Sequence, residues 1–259
     1  MINVISLFSG SSGNAFLISD GKTNILLDAG MSQKLIEESL KEAGVDGDIA
    51  AIFVTHEHID HTRGLFPFSK KHAVPIYMTA GTSCALSRGG SCADMLRIIE
   101  CGKPVFVGEF NVVPFPAPHD AAEPVGFVFE ESGVRVGFAT DTGCVTNDMK
   151  RALSGCDGVV IEANHDENML ILGPYPHRLK IRILSDDGHL SNDGAAELAS
   201  YLYGTGTRKF MLAHLSQTNN EAPLAAHAVK NAVGADAEIV AAAADTVTKM
   251  EVPAKIKTC

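Results

Sequence analysis

The chain has 259 residues, enough to bury a sizeable core and better suited to one large α/β domain over 1–259 than to two small ones. Hydrophobic residues make up 46% and charged residues 20%, an ordinary globular balance, and no apolar run reaches the ~18 residues of a membrane span. The formal net charge of −10 excludes a simple basic surface for nucleic acid, although bound divalent cations can dominate the field at a site.

The N-terminus, Met1-Ile2-Asn3-Val4-Ile5-Ser6, lacks a basic stretch followed by a long apolar one, so a cytoplasmic protein is expected. Short apolar strands are predicted at residues 4–8, 15–19 and 24–28, separated by turns at Gly10-Ser11-Ser12-Gly13 and Asp20-Gly21. A helix at 32–43 opens on Ser32 and closes on Gly44. A buried strand at 51–55 ends at a histidine cluster, and a helix at 62–72 and a strand at 75–79 follow. After a loop-rich stretch come strands at 105–107 and 112–115, then a hairpin of 125–130 and 134–139 around Glu131-Ser132-Gly133. Further strands fit 158–162, 210–213 and 239–242, with helices at 147–153, 176–185, 192–203 and 222–233. Strands followed by helices in each half suit an α/β fold of the αβ/βα sandwich type, two mixed sheets packed face to face with helices outside. The pattern alone leaves a doubly wound sheet open. The six cysteines form no C-x-x-C pair and read as reduced thiols.

The chemistry concentrates in Thr55-His56-Glu57-His58-Ile59-Asp60-His61. His56 and His58 lie two apart at a strand end, so an extended backbone points both to one side, where they can grip one ion. Asp60 and His61 lie where the chain turns into a helix and can grip a second ion nearby. The pattern is not the H-E-x-x-H of zinc proteases, because Asp60 stands where that motif needs a histidine. Two ions need more ligands, and His119, Asp141 and His214 each follow an apolar strand, where such folds carry function.

The T-H-x-H-x-D-H motif, preceded by Leu27-Asp28-Ala29-Gly30, resembles the metallo-β-lactamase-fold superfamily, with Asp141 and His214 matching its later motif positions. Ser9-Gly10-Ser11-Ser12-Gly13-Asn14, Gly188-His189-Leu190-Ser191-Asn192 and His214-Leu215-Ser216-Gln217-Thr218-Asn219-Asn220 resemble its YycJ/WalJ-like branch, which is linked to DNA exonuclease activity. The resemblance runs from about residue 5 to about residue 220. It implies the αβ/βα sandwich and one metal held by His56, His58 and His119. A second would be held by Asp60, His61 and His214, with Asp141 bridging. Asp28 would orient a ligand by hydrogen bonding. Asp141 to His214 is too short for the inserted domain of large nucleases in the superfamily.

Two cations ~3.5–4 Å apart can share a water, lower its pKa toward neutrality and clamp the oxygens of the group it attacks. Ligands without a thiolate suit Zn, Mn or Fe and do not choose among them. Asp60, Asp141 and His189 are the catalytic candidates. The resemblance gives His189 contact with a phosphate or protonation of the leaving oxygen, and an imidazole can do this near neutral pH. Candidate substrate contacts are Asn14, in a turn able to offer N–H groups to an anion, and His165, after another strand. Ser191, a potential helix cap beside His189, and the basic helix face of His177 and Arg178 complete that set. The expected activity is a phosphodiesterase or DNA exonuclease. The alternatives are an acyl hydrolase on the same metal core (thioester, lactone or β-lactam) and a non-catalytic binding protein, the last disfavoured because every ligand position is filled.

Overall fold

The computed structural model describes residues 1–45, 48–86 and 93–254. Cys92 and Cys259 lie outside them, and none of Cys84, Cys101, Cys144 and Cys156 is in a disulfide. Strands β1 (Ile2–Phe8), β2 (Ala15–Ser19), β3 (Asn24–Leu27), β4 (Ala51–Phe53), β5 (Ile76–Thr79) and β6 (Leu96–Ile99) form one sheet in sequence order. The second sheet runs β7 (Val105–Val107), β8 (Phe110–Pro116), β9 (Val125–Glu131), β10 (Val134–Ala139), β11 (Gly158–Glu162), β12 (Lys209–Ala213) and β13 (Glu238–Ala241). The last strand, β14 (Thr248–Val252), crosses back and pairs antiparallel with β1, so each sheet has seven strands.

The central strands are apolar on both faces because both faces are covered. Phe16, Ile18, Ala51 and Phe53 enter the layer between the sheets. Their neighbours Ala15, Leu17, Ile52 and Val54 face the opposite way, into a second cluster. That cluster is closed by helices α1 (Gln33–Glu42) and α3 (Leu65–His72), which precede and follow the short helix α2 (Ile59–Thr62). Phe53 packs edge-on against Phe127 and Phe129 across the inter-sheet layer, with ring centroids 5.5 and 5.9 Å away. The outer face of the second sheet packs under α5 (Asn147–Leu153), α8 (Asn192–Gly204) and α9 (Ala222–Ala232). The αβ/βα sandwich expected from the sequence is therefore the fold.

The predicted 125–130/134–139 hairpin forms, and Ser132 and Gly133 both take positive φ, 49° and 78°, as its two-residue turn requires. The predicted helix at 62–72 is broken. It starts earlier as α2, stops, and resumes as α3 after Gly64, whose added Cβ would lie 2.1 Å from the carbonyl oxygen of Met31. Close approach of that strand-end loop forbids a side chain there. Helices α4 (Ala80–Leu86) and α6 (Glu167–Leu172), with β6 and β14, have no counterpart in the sequence reading. All are short, and β6 and β14 are edge strands that bury little. α7 (His177–Ile183) occupies the predicted 176–185 segment.

Strands β3 and β4 are parallel, as are β10, β11 and β12, so their C-terminal ends open toward one edge of the sandwich. Three loops lock together there through backbone groups. Gly30 N–H donates to Asn14 O (2.8 Å), and Asn14 N–H donates to Asp60 O (2.7 Å). A Cβ on Gly30 would sit 1.7 Å from the Asp60 oxygen. We predict that Gly30→Ala loses about 2 kcal/mol or more of stability in denaturant unfolding, because backbone must move to relieve the clash. Gly204→Ala, at the end of α8 with nothing within 4 Å of the added carbon, serves as control and should be neutral or slightly stabilising.

Candidate metal centre

Each candidate ligand sits just beyond a strand or in the turn after it. His56 and His58 follow β4, and His58 caps α2, which places Asp60 and His61 in its single turn. His119 follows β8, Asp141 follows β10 and His214 follows β12. The backbone is bent sharply at three of these strand ends: Asp28, Asp141 and His214 have φ of 60°, 53° and 56°. Such left-handed conformations in non-glycine residues cost about 1–3 kcal/mol and gather at functional sites, and Asp and His tolerate them better than most.

The side chains converge into sets that match the division implied by the sequence. One group is His56, His58 and His119; another is Asp60, His61 and His214; Asp141 joins His56 and His61 between them. Their hydrogen bonds fix which ring nitrogen faces inward. A carboxylate or carbonyl can only accept, so the imidazole nitrogen against it must carry the proton. His61 Nδ1 donates to Asp28 Oδ2 (2.8 Å), His119 Nδ1 to Gly188 O (3.0 Å) and His214 Nδ1 to Glu162 Oε1 (2.9 Å). Thr55 Oγ1 donates to Asp28 Oδ2 (2.9 Å) and thereby accepts from His56 Nδ1 (3.0 Å). Thr55 N–H adds a bond to Asp28 Oδ1 (2.8 Å). In these rings Nε2 is the nitrogen turned toward the centre. His58 presents Nδ1 instead, 3.3 Å from His119 Nε2.

His56 Nε2, His214 Nε2 and Asp141 Oδ2 are buried without a hydrogen-bond partner. Buried polar atoms are seldom left unpaired. Bare imidazole nitrogens grouped with carboxylate oxygens are the donor set of a divalent cation, so these residues fit the metal that the resemblance implies. Electrostatics agree. Burial opposes charge on Asp141, yet His214 and His61 around it hold its carboxyl well below the usual range. Burial would lower His61 and His214, but Asp141 and neighbouring carboxylates override it, lifting His61 well above its ordinary value and His214 to about 10. The cluster is built to hold positive charge, and bound cations would take the place of those protons.

Glu162 has no assigned role in the sequence reading. It ends β11 fully buried and accepts from His189 Nδ1 (2.7 Å), His214 Nδ1 (2.9 Å) and Thr142 N–H (2.8 Å). One carboxylate thus orients a candidate ligand and the candidate acid together. The signal in the sequence was an acid closing an apolar strand, as Asp141 nearly does. Asp141, Glu162, His189 and His214 also lie close enough to share one ion. The hydrogen bonds to Glu162 occupy both Nδ1 atoms and favour its role as an acceptor.

The remaining candidates separate. His189 lines the metal cleft, a space of about 290 Å³ that also takes in Tyr175, Leu179 and Arg182. Asn14 is buried beneath the ligands: Oδ1 accepts from Gly10 N–H (2.9 Å), and Nδ2 lies 3.0 Å from His61 Nε2 and 3.4 Å from Asp60 Oδ2. It touches the ligand set and does not line the cleft, and Ser9 of the same loop accepts from His214 N–H (2.8 Å). His165 and Ser191 come together in an adjoining pocket. Burial pushes His165 down to about 4. Ser191 caps α8 through Gly194 N–H. His177 and Arg178 are exposed on α7 and do not line the cleft. Arg182 of the same helix does, braced by Asp120 through Nε (2.6 Å) and a terminal nitrogen (3.0 Å).

Residues 23–215 match the family described as a beta-lactamase superfamily domain. The chain is 38% identical over 222 residues to an exodeoxyribonuclease YycJ of Bacillus anthracis, covering 85% of this chain and 84% of that protein. It is 37% identical over 256 residues to an exodeoxyribonuclease WalJ of Streptococcus pneumoniae, covering 94% and 95%. Among solved structures it is similar to the metallo-beta-lactamase fold protein YhfI from Bacillus subtilis. That match has a TM-score of 0.74 at 16% identity and covers 96% of this chain and 99% of the other, a likeness of fold. Ligand geometry, fold and sequence agree, and the chain belongs to the metallo-β-lactamase-fold superfamily, in its YycJ/WalJ-like branch.

Proposed function

We propose that this protein is a metal-dependent phosphodiesterase that acts as an exodeoxyribonuclease, with two divalent cations of the Zn, Mn or Fe type in the described centre. The relatives named exodeoxyribonuclease support that class over acyl hydrolysis. The observation that carries it is the Glu162–His189 pair beside the ligands. Glu162 accepts a hydrogen bond from His189 Nδ1, which leaves Nε2 as the ring nitrogen available to the cleft. A water-activating metal core serves acyl and phosphoryl substrates alike. An added imidazole able to protonate a leaving alkoxide is what a phosphodiester requires.

His56, His58 and His119 would hold one cation, Asp60, His61 and His214 the other, and Asp141 both. When bound, the cations supply Lewis-acid polarisation of a phosphoryl oxygen and activation of a water. The chain's own residues do the rest. Asp28 and Thr55 fix His61 and His56 with Nε2 inward, and Gly188 O does the same for His119. His189 would deliver a proton to the leaving oxygen from Nε2, and Glu162 keeps its ring in place through Nδ1. Arg182 is the one permanent cation among the described residues lining the cleft, and its bond to Asp120 holds it there for a phosphate oxygen. The net charge of −10 is overcome locally by the cations and Arg182.

A paired assay on metal-loaded protein tests the class: end-labelled double- and single-stranded DNA against a thioester and a β-lactam. DNA should be shortened from its ends, and acyl hydrolysis with intact DNA would overturn the proposal. His189→Ala should keep its full metal content while kcat for phosphodiester cleavage falls by about 10²–10⁴. A loss of metal instead would make His189 a ligand. Asp28→Asn removes a carboxylate that anchors both His61 and Thr55. It should weaken metal affinity by roughly 10–100-fold in a competition titration with a chelator. Chelation should also lower the wild-type melting temperature, because cations that bind only the folded chain stabilise it.

A further inference from the structure

Beside the metal cleft lies a second pocket of about 340 Å³, and among the described residues His189 is the one that lines both. The size suits a small organic group. Its floor is the first turn of α8, a 13-residue helix, at Ser191 and Gly194. His165 also lines it, 1% exposed, and neither of its ring nitrogens has a hydrogen-bond partner. Leaving such a group unsatisfied costs about 1–3 kcal/mol, so its unpaired atoms mark a place for a ligand. A neutral imidazole offers one donor and one acceptor.

The remaining walls select among ligands. Val145, Leu184 and Leu190 supply apolar surface for a flat ring. Glu167 and Glu197 bring carboxylates to the same pocket, and Asp186 and Asp187 lie close enough to act on the Cys144 thiol in its wall. Lys150 pairs with Glu197 (3.0 Å), yet Glu167 in the wall and Asp186 and Asp187 near Cys144 leave the surroundings acidic on balance, which disfavours a phosphate. These carboxylates accept hydrogen bonds from amino and imino groups. The pocket therefore suits an uncharged heteroaromatic ring with both donors and acceptors.

We propose that this pocket binds the nucleobase of the nucleotide adjoining the scissile phosphodiester, so that His189 stands between a phosphate subsite and a base subsite. The assignment rests on the phosphodiesterase reading of the metal cleft. It gives the enzyme a seat for one unstacked base, which a frayed or single-stranded end provides more readily than the interior of a duplex.

Cys144 supplies the probe. Alkylation by N-ethylmaleimide is followed by peptide mass spectrometry at Cys144, with exposed Cys101 as internal reference. Deoxyadenosine monophosphate should slow labelling of Cys144 several-fold relative to Cys101, and 2-deoxyribose 5-phosphate should not. Cys144→Phe, which fills the pocket, should raise KM for DNA about tenfold and leave hydrolysis of methyl 4-nitrophenyl phosphate, which has no base, within twofold of wild type. Labelling indifferent to the nucleotide, or an unchanged KM for DNA in the variant, would overturn the proposal. Wild-type protein that leaves DNA intact sinks the nuclease reading alone, because the nucleotide protection still decides whether the pocket takes a base.

Discussion

The site is organised around one requirement, that an imidazole offered to a cation have its other nitrogen held, and four of the five candidate ligand histidines satisfy it. Asp28, Thr55, Gly188 O and Glu162 meet that need for His61, His56, His119 and His214. An imidazole free to rotate or to carry its proton on the wrong nitrogen is a poor ligand, so these acceptors decide the affinity and geometry of the centre as much as the ligands do. They are themselves buried or main-chain atoms, which ties the centre to the packing of both sheets.

That dependence explains why the strand ends are strained. Asp28, Asp141 and His214 leave their strands through the left-handed region, which turns each side chain back over the sheet edge. The cost is borne by the cores beneath, where β4 and β10 to β12 are apolar on both faces and a one-residue slip would carry Phe53, Phe138 or Met211 out of the inter-sheet layer into the opposite core, losing their packing. Close backbone contact at Gly30 and Gly64 locks the loop after β3 against α2 and α3. The site is rigid because the loops that carry it are short and fastened to one another.

Glu162 shows how the same principle reaches the chemistry. It accepts from His214, a candidate metal ligand, and from His189, the candidate acid. A single buried carboxylate therefore fixes the orientation of both rings at once. The cleft around them is sparing in positive charge. Arg182 is fixed by Asp120, while the exposed His177 and Arg178 of the same helix do not line it.

The candidate metal cluster was legible in the sequence because ligand chemistry needs particular residue types at short spacing: His56, His58, Asp60 and His61 fall within one strand end and one helical turn. Alternating and doubly apolar strands likewise announced the two sheets, since burial on one or both faces leaves a period in the sequence. Short edge elements such as β6 and β14 left little trace, because they bury little. Roles that depend on distance through space could not be read at all. Asn14 looked like a turn residue for an anion and lies beneath the ligands; His165 and Ser191 were placed near the site and meet in a neighbouring pocket; Glu162 looked like the last residue of a strand. Residue type and period marked out the candidate ligands and the strands that carry them. Only the packing of two sheets, which brings residues more than a hundred positions apart within hydrogen-bond reach, decided which nitrogen of each imidazole is held by an acceptor and which is turned to the centre.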